Sequence, residues 1–134
     1  MSKITDIEGV GKSYAKKLKD AGISGVGSLL KKGASSAGRK AIAEKTGISD
    51  TLLLRWVNHA DLFRIKGIGG EYAELLEASG VDSVPELAQR KAENLYQKII
   101  DVNQIKKLVR KLPVQSQVAN WIEQAKTLTK IVTH

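Results

Sequence analysis

Two short stretches hold the residue types from which a phosphate-binding turn can be made. The first is Gly9-Val10-Gly11, followed by Lys12, Ser13 and Lys16; the second is Gly67-Ile68-Gly69-Gly70. Each is a Gly-apolar-Gly turn that opens a helix. Glycine permits positive φ and lets another backbone approach closely. The central apolar residue plugs a core beneath the turn. The turn leaves the first N–H groups of the helix without intrahelical partners. Those donors stand at the positive end of the helix dipole, which suits a phosphate. Gly9-Val10-Gly11-Lys12-Ser13 also looks superficially like a nucleotide phosphate loop. The spacing G-x-x-x-x-G-K-[ST] and the preceding strand are both missing.

Other chemistry finds no support in the sequence. Cysteine is absent, which removes disulfides, zinc-finger spacings and thiol nucleophiles. His59 and His134 are far apart and have no ligand spacing around them. No nucleophile elbow or paired catalytic carboxylate is visible. The expectation is a chain with no catalytic residues, no metal, no cofactor and no enzymatic activity of its own.

The elements that position the turns come from a repeat. Shifted by 58 residues, the chain overlays itself: Ile7 falls on Ile65, Gly9 on Gly67, Gly11 on Gly69, Tyr14 on Tyr72, Ala15 on Ala73, Leu18 on Leu76 and Gly22 on Gly80. Apolar and glycine positions match while charged positions drift, the mark of a shared fold. Trp56 matches Trp121 at a shift of 65, so the second copy carries seven extra residues, placed most simply between Asp101 and Pro113. The expected units are 1–61 and 62–134. Both tryptophans read as core residues, because they occupy equivalent places.

Helical spacing runs through both copies. Tyr14, Ala15 and Leu18 share one helix face, and Gly22 ends that helix as a C′ glycine; Gly80 does the same in the second copy. Ser83-Val84-Pro85-Glu86 reads as a helix start, and Ser49 as the N-cap of a helix through Leu53, Leu54 and Val57. Leu95, Ile99 and Ile100 form one stripe; Ile105, Leu108, Val109 and Leu112 form another. No stretch alternates with period two for long enough to make a strand. With 42% hydrophobic but only 4% aromatic residues, the core must come mostly from Leu, Ile, Val and Ala, as short packed helices allow. No apolar run approaches the roughly 20 residues that span a membrane, so a cytoplasmic protein without membrane partners is expected.

The repeated pattern, Ile4-x-x-Ile7-x-Gly9-Val10-Gly11-x-x-x-Ala15-x-x-Leu18 and Leu62-x-x-Ile65-x-Gly67-Ile68-Gly69-x-x-x-Ala73-x-x-Leu76, resembles the helix-hairpin-helix motif of DNA repair and recombination proteins. Glu44-Lys45-Thr46-Gly47-Ile48-Ser49 looks like a second, degenerate hairpin. That combination is similar to the N-terminal helical domain of RecA-like recombinases. Two such units in one chain look like a bacterial family catalogued as a domain of unknown function. The resemblance implies an all-α protein of two tandem helix-hairpin-helix (SAM-like) units, with turns that hold the DNA backbone without reading bases. Copy two departs from the pattern, because Leu112-Pro113-Val114 stands where Gly47-Ile48-Ser49 would.

Charge separates the two turns. The net charge of +8 suits a polyanion such as nucleic acid. Lys12, Ser13, Lys16, Lys17 and Lys19 follow the first turn, whereas Glu71, Glu74 and Glu77 follow Gly70 in the second and would repel a phosphate. Residues 1–61 carry 11 basic and 6 acidic side chains, and residues 62–134 carry 11 and 8. Lys106, Lys107, Arg110 and Lys111 form a further basic stretch, expected on one side of a helix. Three readings stay open. The first is a non-catalytic, non-sequence-specific DNA- or other nucleic-acid-binding module. The second is a protein-interaction adaptor built on the same helices. The third and weakest is a nuclease accessory, with the chemistry supplied by another chain.

Overall fold

The structure, a computed structural model, describes residues 3–134. The described residues form eight α-helices and no strand, so the protein is all-helical. No helix among them is long and apolar enough to cross a membrane. The described residues divide into two compact units, one of residues 3–61 with 131–134, the other of residues 62–130.

Unit 1 begins with a single 3-10 turn, Ile4–Asp6, followed by α1 (Lys12–Asp20), α2 (Val26–Gly33), α3 (Ser36–Thr46) and α4 (Asp50–Leu62). The helix that a helix-hairpin-helix resemblance implies before Gly9 is therefore only this turn. Ile7, Leu18, Ile23, Leu29, Leu53, Trp56 and Val57 are buried at its centre. α1 stops as its C′ glycine dictates: Gly22 has φ +87°, and the N–H of buried Ile23 donates to the Leu18 carbonyl at 2.8 Å. Ser49 caps α4 by accepting from the Leu52 N–H at 3.2 Å. Gly33, the last residue of α2, allows close packing. A Cβ on Gly33 would fall 2.6 Å from the Val57 Cγ2.

Unit 2 repeats this order with α5 (Gly70–Ala78), α6 (Val84–Ala88), α7 (Ala92–Lys106) and α8 (Gln115–Thr127). α8 packs against α6 and α7, and α7 against α5. Its core draws on Leu62, Ile65, Leu75, Leu76, Val81, Leu87, Leu95, Ile99, Val118 and Trp121. Gly80, at φ +93°, ends α5 with the Val81 N–H donating to the Leu76 carbonyl. Ser83 accepts from the Glu86 N–H at 3.3 Å to start α6.

The helix expected through Ile105, Leu108, Val109 and Leu112 does not form. α7 ends at Lys106, Lys107 takes the left-handed conformation at φ +51°, and a loop runs to Val114. The apolar spacing misleads because the loop is anchored by other means. The Asn103 side chain accepts from the Val109 N–H at 3.0 Å and donates to the Val109 carbonyl at 3.2 Å, as a peptide neighbour would. In unit 1 the connection from α3 to α4 is far shorter, with Gly47 in the left-handed position at φ +76°. The extra residues of the second copy thus lengthen α7 and the loop after it.

A second difference from the sequence reading concerns residues 131–134, which belong with unit 1 rather than with the second copy. Val132 is buried, and the Thr133 N–H donates to the Ala34 carbonyl at 2.8 Å. Arg39, only 5% exposed, donates to the carbonyls of Gly33, Ala34 and Thr133 at 2.9, 3.1 and 2.7 Å. A buried cation is tolerated here because three carbonyls, two of them at the end of α2, surround its guanidinium. Deleting residues 131–134 removes a buried valine and two of these hydrogen bonds, a loss of about 2 kcal/mol. Hydrogen exchange measured segment by segment should show faster exchange in α2 and α3 after the deletion, with α7 and α8 unchanged.

Candidate functional site

The first turn rests on a tryptophan. Gly9 sits at φ +93°, and a Cβ there would lie 3.5 Å from the Trp56 Nε1. Trp56 is fully buried, and its N–H, on that side of Gly9, has no hydrogen-bond partner among the described residues. Tyr14 meets the Trp56 ring edge-on with centroids 5.0 Å apart. Val10, 4% exposed, drops into the core, as its place between the glycines requires, and its N–H donates to the Ile7 carbonyl at 3.1 Å.

Gly11 is the N-cap of α1 and offers no side-chain cap. The first helical hydrogen bond runs from the Ala15 N–H to the Gly11 carbonyl at 2.9 Å. The N–H groups of Lys12, Ser13 and Tyr14 therefore lack intrahelical partners. Lys12, Ser13 and Lys16 are exposed around them, and the first turn of α1 contains no acidic residue. Neither lysine makes an ion pair among the described residues. Lys17 is drawn elsewhere, its ammonium 5.8 Å from the centre of the Tyr14 ring.

The second turn has the same skeleton and different chemistry. Gly67 has φ +99°, and a Cβ there would lie 2.8 Å from the Trp121 Nε1. Tyr72 packs on Trp121 at 5.3 Å, and Ile68 is buried. Gly69 caps α5 without a side-chain bond, and Gly70 is its first residue. A depression of about 350 Å³ opens here, lined by Gly67, Gly69, Gly70, Glu71 and Tyr72. The exposed Glu71 carboxylate stands in the first turn of α5, at the position of Ser13 in α1. The sequence reading missed one support: the Gln124 side chain accepts from the Lys66 N–H at 2.9 Å and donates to the Lys66 carbonyl at 3.1 Å, clamping the approach to the turn. Nothing local in the sequence signals a contact between residues 58 apart.

Positive φ was expected of the glycines of each turn, and it belongs to only one of the two. Gly11 and Gly69 have φ −85° and −111°, which any residue adopts. A Cβ on either would meet nothing within 4 Å. Gly9 and Gly67 are thus required by the fold, whereas Gly11 and Gly69 keep the face in front of the helix end clear. Among the described residues no group of three or more His, Asp or Glu side chains is placed to hold a metal ion.

Together these features define a small all-helical protein in which a Gly-apolar-Gly turn over a buried tryptophan occurs twice. The chain belongs to the family described as Domain of unknown function (DUF4332), which matches residues 8–128. No curated protein and no solved structure matched the chain.

The four glycines should respond differently to alanine. Gly9→Ala costs about 1–2 kcal/mol for the left-handed backbone. Gly67→Ala costs more, because its Cβ also collides with a buried ring. Gly11→Ala and Gly69→Ala should cost less, about 0.5–1 kcal/mol, because alanine is only a poorer N-cap. Urea denaturation of the four variants checks the order.

Proposed function

We propose that this protein is a non-catalytic nucleic-acid-binding module, acting in the cytoplasm, that holds the phosphate backbone of DNA at its first glycine turn without reading base sequence. The observation that carries this reading is the open face at Gly11. Neither φ nor crowding demands a glycine there, and the residue leaves uncapped N–H groups accessible beside two exposed lysines. Backbone N–H groups and lysines grip phosphate oxygens, which carry no direct sequence information. The resemblance to helix-hairpin-helix units supports the same assignment. The residues that meet the phosphates are Gly9, Gly11, Lys12, Ser13 and Lys16; Val10, expected among them, is buried and shapes the turn from below. Gly67, Ile68, Gly69 and Gly70 form the weaker counterpart, opposed by Glu71.

A protein-docking role is the second reading, and the acidic start of α5 favours it for the second turn. The two readings separate in one titration. Affinity for duplex DNA should fall with salt at a log–log slope of about −0.9 per phosphate neutralised. Lys12→Glu with Lys16→Glu should weaken binding about tenfold for all sequences alike and flatten the slope by about 1–2. Glu71→Lys should strengthen it. An unchanged isotherm and slope, with docking of a protein partner abolished instead, gives the site to an adaptor. Plasmid incubated with protein and Mg²⁺ should remain uncut; cleavage abolished by changing one acidic residue would overturn the non-catalytic assignment.

A further inference from the structure

Unit 2 lacks a cationic turn, but it is not without cations. Lys106, Lys107, Arg110 and Lys111 lie at the end of α7 and in the loop that follows, all exposed. None makes an ion pair among the described residues. Residues 102–122 contain no acidic side chain, so nothing nearby in the chain offsets them. The second copy has 11 basic and 8 acidic residues, and without these four cations it would be net negative.

The loop is also held in shape. Asn103 brackets Val109 with two hydrogen bonds, and Val109 itself is buried. Leu108 and Leu112 are half-buried against the core of the unit. The Tyr72 hydroxyl donates to the Lys111 carbonyl at 2.9 Å. Tyr72 also lines the depression at the second glycine turn. Apolar anchors and charged residues alternate in pairs: Lys106 and Lys107 outside, Leu108 and Val109 inward, Arg110 and Lys111 outside. An ordered loop of this kind presents its cations without first losing the entropy of a free chain. Unit 1 makes the corresponding connection with Gly47, Ile48 and Ser49 and has no such platform.

We infer that the loop from Lys106 to Lys111 is a second binding surface for the phosphate backbone of duplex DNA, replacing in unit 2 the role that the glycine turn fills in unit 1. The inference rests on the nucleic-acid reading above and extends it to a different element. Clustered cations on an ordered loop suit a polyanion that presents many phosphates. A membrane surface fits less well, because Ile105, 83% exposed, is the sole large apolar side chain protruding from this stretch before Val114.

The test is fluorescence anisotropy with a labelled DNA duplex, at salt concentrations between about 50 and 200 mM. Four proteins are compared with the parent. The loop variant carries Lys106→Gln, Lys107→Asn, Arg110→Gln and Lys111→Gln, asparagine being chosen because it tolerates the left-handed backbone at 107. The control carries Lys91→Gln, Lys98→Gln, Lys126→Gln and Lys130→Gln, which lowers net charge equally. The third is Lys12→Glu/Lys16→Glu, and the fourth is Tyr72→Phe, which keeps the ring and removes one of the loop's anchors. Circular dichroism establishes that each is folded.

The loop variant should lose about tenfold in affinity and flatten the salt slope by about 2, while the control changes neither by more than about a third of that. Tyr72→Phe, with no charge altered, should lose about threefold. If the control matches the loop variant, net charge alone is responsible and the assignment of the loop is overturned. If the parent binds and Lys12→Glu/Lys16→Glu weakens it while the loop variant does not, the loop assignment fails and the first-turn reading stands. If the parent does not bind the duplex, both fail. Loss of binding to vesicles of anionic lipid in the loop variant, with the DNA isotherm unchanged, hands the loop to a membrane and also overturns the proposal.

Discussion

A flat indole beneath a glycine is the interaction on which each unit depends. A Cβ on Gly67 would collide with the Trp121 ring, and one on Gly9 would come into contact with the Trp56 ring. Both glycines take positive φ above their rings, a conformation that other residues adopt only at a cost. The same ring receives Tyr14 or Tyr72 from the helix that the turn opens. One side chain therefore fixes the height of the turn, the start of the following helix and the packing of the helix that carries the tryptophan. Val10 and Ile68 complete the floor. Because rings and turns are this tightly matched, the donors at the helix start have little freedom to drift.

On that common skeleton the two copies have separated in their surfaces. Around α1 the charges are lysines; at the start of α5 there is a glutamate. Cations reappear in the second copy on the connection that the first copy keeps short. The buried set is constrained by packing in both units, while the exposed set answers only to what lies outside. A repeat that holds its apolar and glycine positions and lets its charges migrate is the expected outcome of that difference.

Much of this was legible along the chain. The glycine overlay marked the turns, Gly22 and Gly80 marked helix ends, and Ser49 and Ser83 marked helix starts, because each of these is a local device whose physics is contained in a few neighbouring residues. The tryptophans were recognisable as core, but not as floors to the turns, since that requires knowing which element lies above them. The stretch from Ile105 to Leu112 was misread because its apolar spacing is that of a helix, whereas Asn103 and Tyr72 satisfy the backbone there in another way. The positive φ expected at Gly11 and Gly69 was wrong for a related reason: a Gly-x-Gly pattern does not say which glycine bears the strain. Pairings such as Gln124 with Lys66, or Arg39 with Thr133, join residues too far apart for any local pattern to encode.

The return of residues 131–134 to unit 1 has a consequence for the order in which the molecule is made. A chain leaving the ribosome normally lets its earlier domain settle before the later one is synthesised. Here the later unit is one unbroken stretch, 62–130, whereas the earlier unit needs four residues that emerge after all of it. Until they arrive, the Arg39 guanidinium holds only the end of α2, and the Ala34 carbonyl waits for the Thr133 N–H. Of these two units, the one that is begun first is the one completed last.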